Sequence, residues 1–180
     1  MKILDIGCGK NKYISKNKED LVIGIDMFNF PGVDISHNLE KIPWPVKDNE
    51  FDKVICSHIL EHVGNLTEVM NEIWRVCKNG SEIIIYSPYF SNYGAYTDIT
   101  HKHFFTSESF DYFDPSTKLF NQYSSKNNLK FNIIEKKLIF GRPFNLFSKI
   151  FNNFIGFYER FLPYLFPARQ IYFKLEVIKK

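Results

Sequence analysis

The chain has 180 residues, a formal net charge of +3 and 44% apolar content, enough for one core of domain size, while 24% charged residues argue against wholesale disorder. Three cysteines, Cys8, Cys56 and Cys77, are odd in number and form no CxxC pair, so a disulfide scaffold and a cysteine zinc site are disfavoured and a reducing, cytoplasmic setting is expected. No apolar run reaches the roughly 20 residues of a membrane span, and the start Met-Lys-Ile-Leu-Asp lacks the layout of a signal peptide.

Lys2–Ile6 is a short apolar run ending in Gly7-Cys8-Gly9, and Leu21–Asp26 is a second that ends in an acid. Val33–Ile35 is a short third, Phe51–Ser57 a fourth and Ser81–Ser87 a fifth. Near-continuous Ile and Val suit strands buried on both faces of a parallel sheet. Between the last two, Leu66, Val69, Met70, Ile73, Trp74 and Cys77 recur at helical spacing, which predicts an amphipathic helix entered through Asn65 and stopped by Asn79-Gly80. The βαβ alternation predicts an α/β fold with an open, doubly wound sheet and right-handed crossovers.

After Pro88 the pattern changes. Residues 89–128 are rich in Tyr, Phe, Ser, Asn and His, with one short helix expected at Ser107–Phe113. Leu129–Phe140 and Gln170–Ile178 read as strands. Between them Phe144, Phe147, Phe151, Phe154, Tyr158, Phe161 and Leu165 repeat at alternating spacings of three and four, predicting one amphipathic helix over 144–162 broken by Pro163 and Pro167. No domain linker is visible, so 1–180 reads as one domain.

The strand ends carry the chemistry. Ligands of an open parallel sheet bind beyond the carboxyl ends of its strands. Gly7 and Gly9 let the backbone turn tightly and approach a ligand, and Asp26, ending the second strand, can accept bonds from two vicinal ribose hydroxyls. The phosphate-loop pattern GxxxxGK[ST] is absent, and the third glycine and long helix of a dinucleotide site are missing. A nucleoside cofactor other than NAD is expected.

These residues resemble the class I S-adenosylmethionine-dependent methyltransferases, particularly the small type 11 group. Leu4 to Tyr13 (LDIGCGKNKY) is similar to their first motif and Val22 to Met27 (VIGIDM) to their second. Asn38-Leu39-Glu40-Lys41-Ile42-Pro43-Trp44, Asn49-Glu50-Phe51-Asp52 and Ser57-His58-Ile59-Leu60-Glu61-His62-Val63 follow in the family's order. The resemblance covers about residues 1–90. It implies a Rossmann-like, mostly parallel seven-stranded sheet with a terminal antiparallel strand, methyl transfer, and S-adenosyl-L-methionine held by Asp5, Gly7, Cys8, Gly9, Asp26, Met27, Asn38, Leu39, Ser57 and His58. Within that set Asp26 would take the ribose, Met27 would lie beside the adenine, and His58 would line the methionine part. Asn38 stands where the family usually has Asp, and an amide oxygen can still accept from the adenine amino group.

The sequence starts at the first strand, without the helices that precede it in the family, so a lid built from 89–106 and 143–167 is expected over the fourth and fifth strands. Tyr89, Tyr93, Asp98 and His101 would face the methyl group. His58, Asp98 and His101 are the candidate catalytic residues, and Tyr89, Tyr93, Tyr96 and His103 the candidate substrate contacts. Asp98, His101 and His103 invite a metal reading, because one carboxylate and two imidazoles can form a facial triad, but His101 and His103 share a face only if 101–103 is extended and nothing else nearby completes a site; no metal is expected. The run Asp98 to Thr106 (DITHKHFFT) also resembles a segment common in members of the family.

The acceptor is read as a small metabolite, a sugar or a lipid-linked precursor. Residues 1–119 carry 12 Lys/Arg against 17 Asp/Glu, whereas 120–180 carry 11 against 3. The basic, Phe-rich C-terminal third suggests an anionic partner. Peripheral membrane contact through 144–162 or a homodimer would employ the same stripe. A nucleic-acid substrate is the weaker reading, because only 4 of 23 basic residues are Arg and no nucleic-acid motif is present. A non-catalytic, cofactor-binding scaffold subunit is the alternative of another class.

Overall fold

Strands β1 (Lys2–Ile6), β2 (Leu21–Asp26), β3 (Ile35–Ser36) and β4 (Phe51–Ser57) lead to helix α1 (Leu66–Val76) and strand β5 (Cys77–Pro88). Then come α2 (Gly94–Thr97), α3 (Lys118–Tyr123), β6 (Lys130–Phe140), α4 (Ser148–Asn153), α5 (Ile155–Phe161) and β7 (Ala168–Ile178). This computed structural model describes residues 1–123 and 129–179. The strands form one sheet in the order β3-β2-β1-β4-β5-β7-β6. The first five are parallel; β7 runs antiparallel between β5 and β6. The order reverses at β1, where β2 lies to one side and β4 to the other, so the ends of these three strands frame the crevice of an open α/β sheet.

Helix α1 forms as its spacing predicts. Asn65 caps it, its Oδ1 accepting from the Glu68 amide at 3.2 Å, and Val69, Met70, Ile73 and Val76 are buried against the sheet. The helix ends at Val76 rather than at Asn79-Gly80: Cys77 already pairs with Phe51, so β5 begins immediately. The pairing then slips between Phe51 and Lys53, and Gly80 takes the bend with φ +77°.

Alternate residues of β4, β5 and β7 divide the sheet into two unlike faces. Val54, Cys56, Ile83, Ile85, Ile171 and Phe173 enter one core with α1, α4 and α5. The opposite face shows half-buried Ile84, Tyr86 and Tyr172, with Glu82 bridged to Lys53 and Lys174. The β1–β2 and β2–β3 connections contain no helix among the described residues, so the helices gather on one face. Uninterrupted Ile and Val runs overstate burial here.

The C-terminal region departs from its periodicity. In place of one helix over 144–162 there is a 3-10 turn at Phe144–Phe147, then α4 and α5, separated at Phe154 with φ −133° and ψ +45°. Asn152 explains the break. Its side chain accepts from the Leu138 amide at 2.6 Å and donates to the Leu138 carbonyl at 2.9 Å, pairing the outer edge of β6. The segment therefore turns to follow the strand, and the predicted stripe splits. Phe151 and Tyr158 go into the core, while Phe154, Phe161 and Leu165 are left 64–68% exposed. The helix expected at Ser107–Phe113 shrinks to a 3-10 turn at Asp111–Phe113.

Candidate functional site

The glycine loop is shaped by Asp26 as much as by its glycines. Asp26 is 8% exposed, and its carboxylate accepts from the Gly9 amide at 2.9 Å and the Phe28 amide at 2.8 Å. These bonds fix its direction and leave each oxygen a lone pair for a further donor. Gly7 and Gly9 both adopt left-handed backbone, at φ +63° and +53°. They differ in surroundings. A Cβ on Gly7 would lie 2.4 Å from Ile59 Cγ1 and 2.8 Å from Ile59 Cβ, whereas one on Gly9 would meet nothing within 4 Å. Gly7 is required by the approach of the turn after β4, Gly9 by conformation alone.

A cavity of about 730 Å³ opens at these strand ends. Of the expected cofactor residues, Gly7, Asp26, Met27, Asn38, Leu39 and His58 line it. Asp5, Cys8, Gly9 and Ser57 instead border a second cavity of about 510 Å³, which shares Gly7 and reaches Tyr172 on the less covered face. Burial is the largest influence on Asp5 and raises its carboxyl to about 6, opposed by the Tyr13 amide donating at 2.6 Å and by Lys12. Burial also pushes the Cys8 thiol up to about 11.

His58 follows β4 in left-handed backbone, φ +55°, a state uncommon for a residue other than glycine. Its amide donates to the Tyr86 carbonyl, its Nδ1 stands 3.3 Å from Glu61 Oε1, and its Nε2 is 2.9 Å from Gln170 Nε2. Glu61 is buried at 1% exposure, and its Oε2 accepts from Ser87 Oγ at 3.1 Å. The loop after α2 is tied across this turn: the Lys102 and His103 amides both donate to the Glu61 carbonyl, at 2.7 and 3.2 Å. Lys102 also pairs with Glu40 at 3.1 Å, closing the rim.

That loop brings Ile99, Thr100 and Lys102 to the cavity, where nothing in the sequence placed them, and they join Ile59, His62 and Val63 of the motif that follows β4. Helical spacing from His58 to His62 was the available signal for His62; nothing local marked Thr100 or Lys102. His101 lies just behind, its ring centroid 4.7 Å from that of His62. Asp98 is exposed and reaches the cavity only through Thr100, which donates to its Oδ1 at 2.7 Å; these bonds hold its carboxyl below the usual range.

The expected substrate contacts are corrected. Tyr89 is fully buried, its hydroxyl donating to Glu159 at 2.9 Å and its ring beside Phe90 and Tyr158. It continues the inward parity of Ile83, Ile85 and Ser87, so it packs into the core rather than facing a methyl group. Tyr93 and Tyr96 are exposed, the latter stacked on Phe104 at 4.6 Å, and neither lines the cavity. His103 turns its Nε2 to the Val63 carbonyl at 2.8 Å and serves as a clip. Segments 89–106 and 143–167 do pack together, through Tyr89 with Glu159 and Phe90 with Tyr164, but only the first contributes to the 730 Å³ cavity.

Residues 4–85 match a family model described as a methyltransferase domain. An uncharacterized protein of Methanocaldococcus jannaschii is 35% identical over 96 residues, a match covering 46% of this chain and 39% of that relative, well under half its length. A SAM-dependent methyltransferase from Archaeoglobus fulgidus superposes with a TM-score of 0.68 at 20% identity, covering 97% of this chain and 85% of that one. A putative methyltransferase from Bacillus halodurans gives 0.60 at 16% identity, covering 99% and 93%. The sheet order and the glycine loop answered by Asp26 agree with these matches: residues 4–85 resemble a methyltransferase domain, and the chain has the fold of solved S-adenosylmethionine-dependent methyltransferases.

Proposed function

We propose that the protein transfers a methyl group from S-adenosylmethionine to a small hydroxyl-bearing acceptor, a sugar or a lipid-linked precursor. The observation that carries this reading is the 730 Å³ cavity, lined by Asp26, His58 and His62 together. The residues fit the cofactor: Asp26 keeps a free lone pair on each oxygen for vicinal hydroxyls, and Gly7 lets the backbone come close. When bound, the cofactor supplies an electrophilic methyl carbon, and displacement needs an acceptor held in line with it. Asp26 would hold the ribose, Asn38 and Leu39 the adenine edge, and the Lys102–Glu40 pair would limit water at the rim. His58, an imidazole at the cavity wall, would receive the acceptor's proton.

The exposed side of α4 and α5 supports a lipid-linked acceptor. Ile150, Phe154, Phe157, Phe161 and Leu165 lie open to solvent beside Lys149 and Arg160, the composition of a segment that rests on an anionic lipid surface. Among the described residues no helix is long and apolar enough to cross a membrane. The test is transfer of labelled methyl from S-adenosylmethionine into separated small-molecule and lipid fractions of a cell extract. Label in a hydroxyl-bearing product, lost with His58→Ala and Asp26→Ala, supports the reading; label only in nucleic acid overturns the acceptor class.

A further inference from the structure

We propose that Glu61, His62 and His101 form a binding site for one divalent transition-metal ion beside the methyl-transfer cavity. One ligand-competent atom from each residue lies within 4.8 Å of the others. The spacing that suggested Asp98, His101 and His103 pointed to another set; the fold assembles this one from residues 39 positions apart.

The carboxylate is the first argument. Glu61 is 1% exposed, yet only its Oε2 is satisfied, by Ser87; Oε1 has no hydrogen-bond partner. His58 Nδ1 comes within 3.3 Å of that oxygen without hydrogen-bond geometry. A buried carboxylate oxygen with no donor is costly, and a cation supplies what is missing.

The imidazoles are the second, independent argument. His101 Nδ1 is 2.7 Å from the Ala95 carbonyl, which can only accept, so Nδ1 carries the proton and Nε2 keeps its lone pair. His62 Nδ1 is 2.8 Å from Thr100 Oγ1, whose own proton goes to Asp98 Oδ1. Thr100 therefore accepts from Nδ1, and His62 Nε2 is free as well. A carbonyl behind one ring and a hydroxyl–carboxylate relay behind the other is how metal-binding imidazoles are oriented from their outer side. Asp98 is thus a positioning residue, acting on His62 through Thr100. The backbone bonds from Lys102 and His103 to the Glu61 carbonyl hold the two halves together without the ion.

Two imidazoles and one carboxylate suit Mn²⁺, Fe²⁺, Co²⁺ or Zn²⁺ better than an all-oxygen cation and leave coordination positions open. His62 and Thr100 line the cavity, so an open position faces it. On the reading proposed above, that position takes the acceptor hydroxyl. Bound there, the hydroxyl would become more acidic and give its proton to His58 at the cavity wall. Its oxygen then forms the new bond to the methyl carbon as the carbon–sulfur bond breaks, the electron pair staying on sulfur.

The metal claim is tested without cofactor or acceptor. The full chain is stripped with a chelator and titrated with Co²⁺, followed by visible absorption and calorimetry. One Co²⁺ per chain is expected, with affinity reduced at least about 100-fold in His101→Ala and in His62→Ala. His103→Ala, whose ring serves Val63, should bind as wild type. Circular dichroism checks folding, and if His62→Ala does not fold, His101→Ala carries the test. Wild-type protein that takes up no Co²⁺, Mn²⁺ or Zn²⁺ below millimolar concentration overturns the site, as does a folded His101→Ala that binds like wild type. Stoichiometric metal uptake without any methyl transfer would instead strike the functional reading and leave the site standing.

Discussion

Adding one methyl at Gly7 and the same methyl at Gly9 separates packing from conformation. Both positions are left-handed, a state that costs an L-residue about 1–2 kcal/mol, so Gly9→Ala, with open space around its new Cβ, should lose about that much. At Gly7 the new Cβ falls 2.4, 2.5 and 2.8 Å from Ile59 Cγ1, Cδ1 and Cβ. The ethyl end of Ile59 can rotate away, but its Cβ cannot move without the backbone. Overpacking of this kind adds about 1–3 kcal/mol, giving roughly 2–5 kcal/mol for Gly7→Ala. Urea unfolding followed by circular dichroism measures both. In an Ile59→Gly background, which removes that Cβ, the cost of Gly7→Ala should fall by about 1 kcal/mol or more, a coupling that a double-mutant cycle isolates. Equal losses at the two glycines, or no coupling to Ile59, would refute the claim that the turn after β4 dictates Gly7.

Other substitutions test neighbouring parts. Asp26→Ala should weaken S-adenosylmethionine binding by about 2 kcal/mol, roughly 30-fold, with a smaller loss in Asp26→Asn; calorimetric affinity within twofold of wild type in a folded Ala variant contradicts the ribose assignment. Asp5 is raised from 3.8 to about 6 in the folded chain, so its protonated form favours folding and that contribution is lost as pH rises from about 4 to 6. Asp5→Asn should therefore gain stability relative to wild type across that window, by at most about 1.4 kcal/mol per pH unit, and a pH-independent difference in melting free energy would contradict it. Asn152→Ala strips both partners from the Leu138 backbone and should cost about 2 kcal/mol or more, exposing the β6 edge to hydrogen exchange; unchanged exchange at Leu138 would show that the side chain does not hold the strand.

The parallel half of the fold was legible because its information is local. Ile/Val runs marked the strands, Asn65 marked the helix start, and Gly7, Gly9 and Asp26 sit where strand ends must converge. Tyr89 was misplaced although the alternation of β5 already carried it inward. The rest was fixed by contacts between distant segments. Nothing near residue 152 announces that its amide will pair with the edge of β6 and split a helix that periodicity favours. Likewise, His101 joins Glu61 and His62 because the Lys102 and His103 amides dock against the Glu61 carbonyl, a relation invisible in local spacing.

The cofactor is expected in the 730 Å³ cavity at the ends of β1, β2 and β4. A crystal structure with S-adenosylhomocysteine bound tests it most directly. Both ribose hydroxyls should lie within hydrogen-bond distance of Asp26, about 2.5–3.0 Å, with the adenine beside Met27 and Leu39. Density for the nucleoside confined to the cavity around Cys8, Ser57 and Tyr172, with Asp26 still bonded only to Gly9 and Phe28, would contradict it.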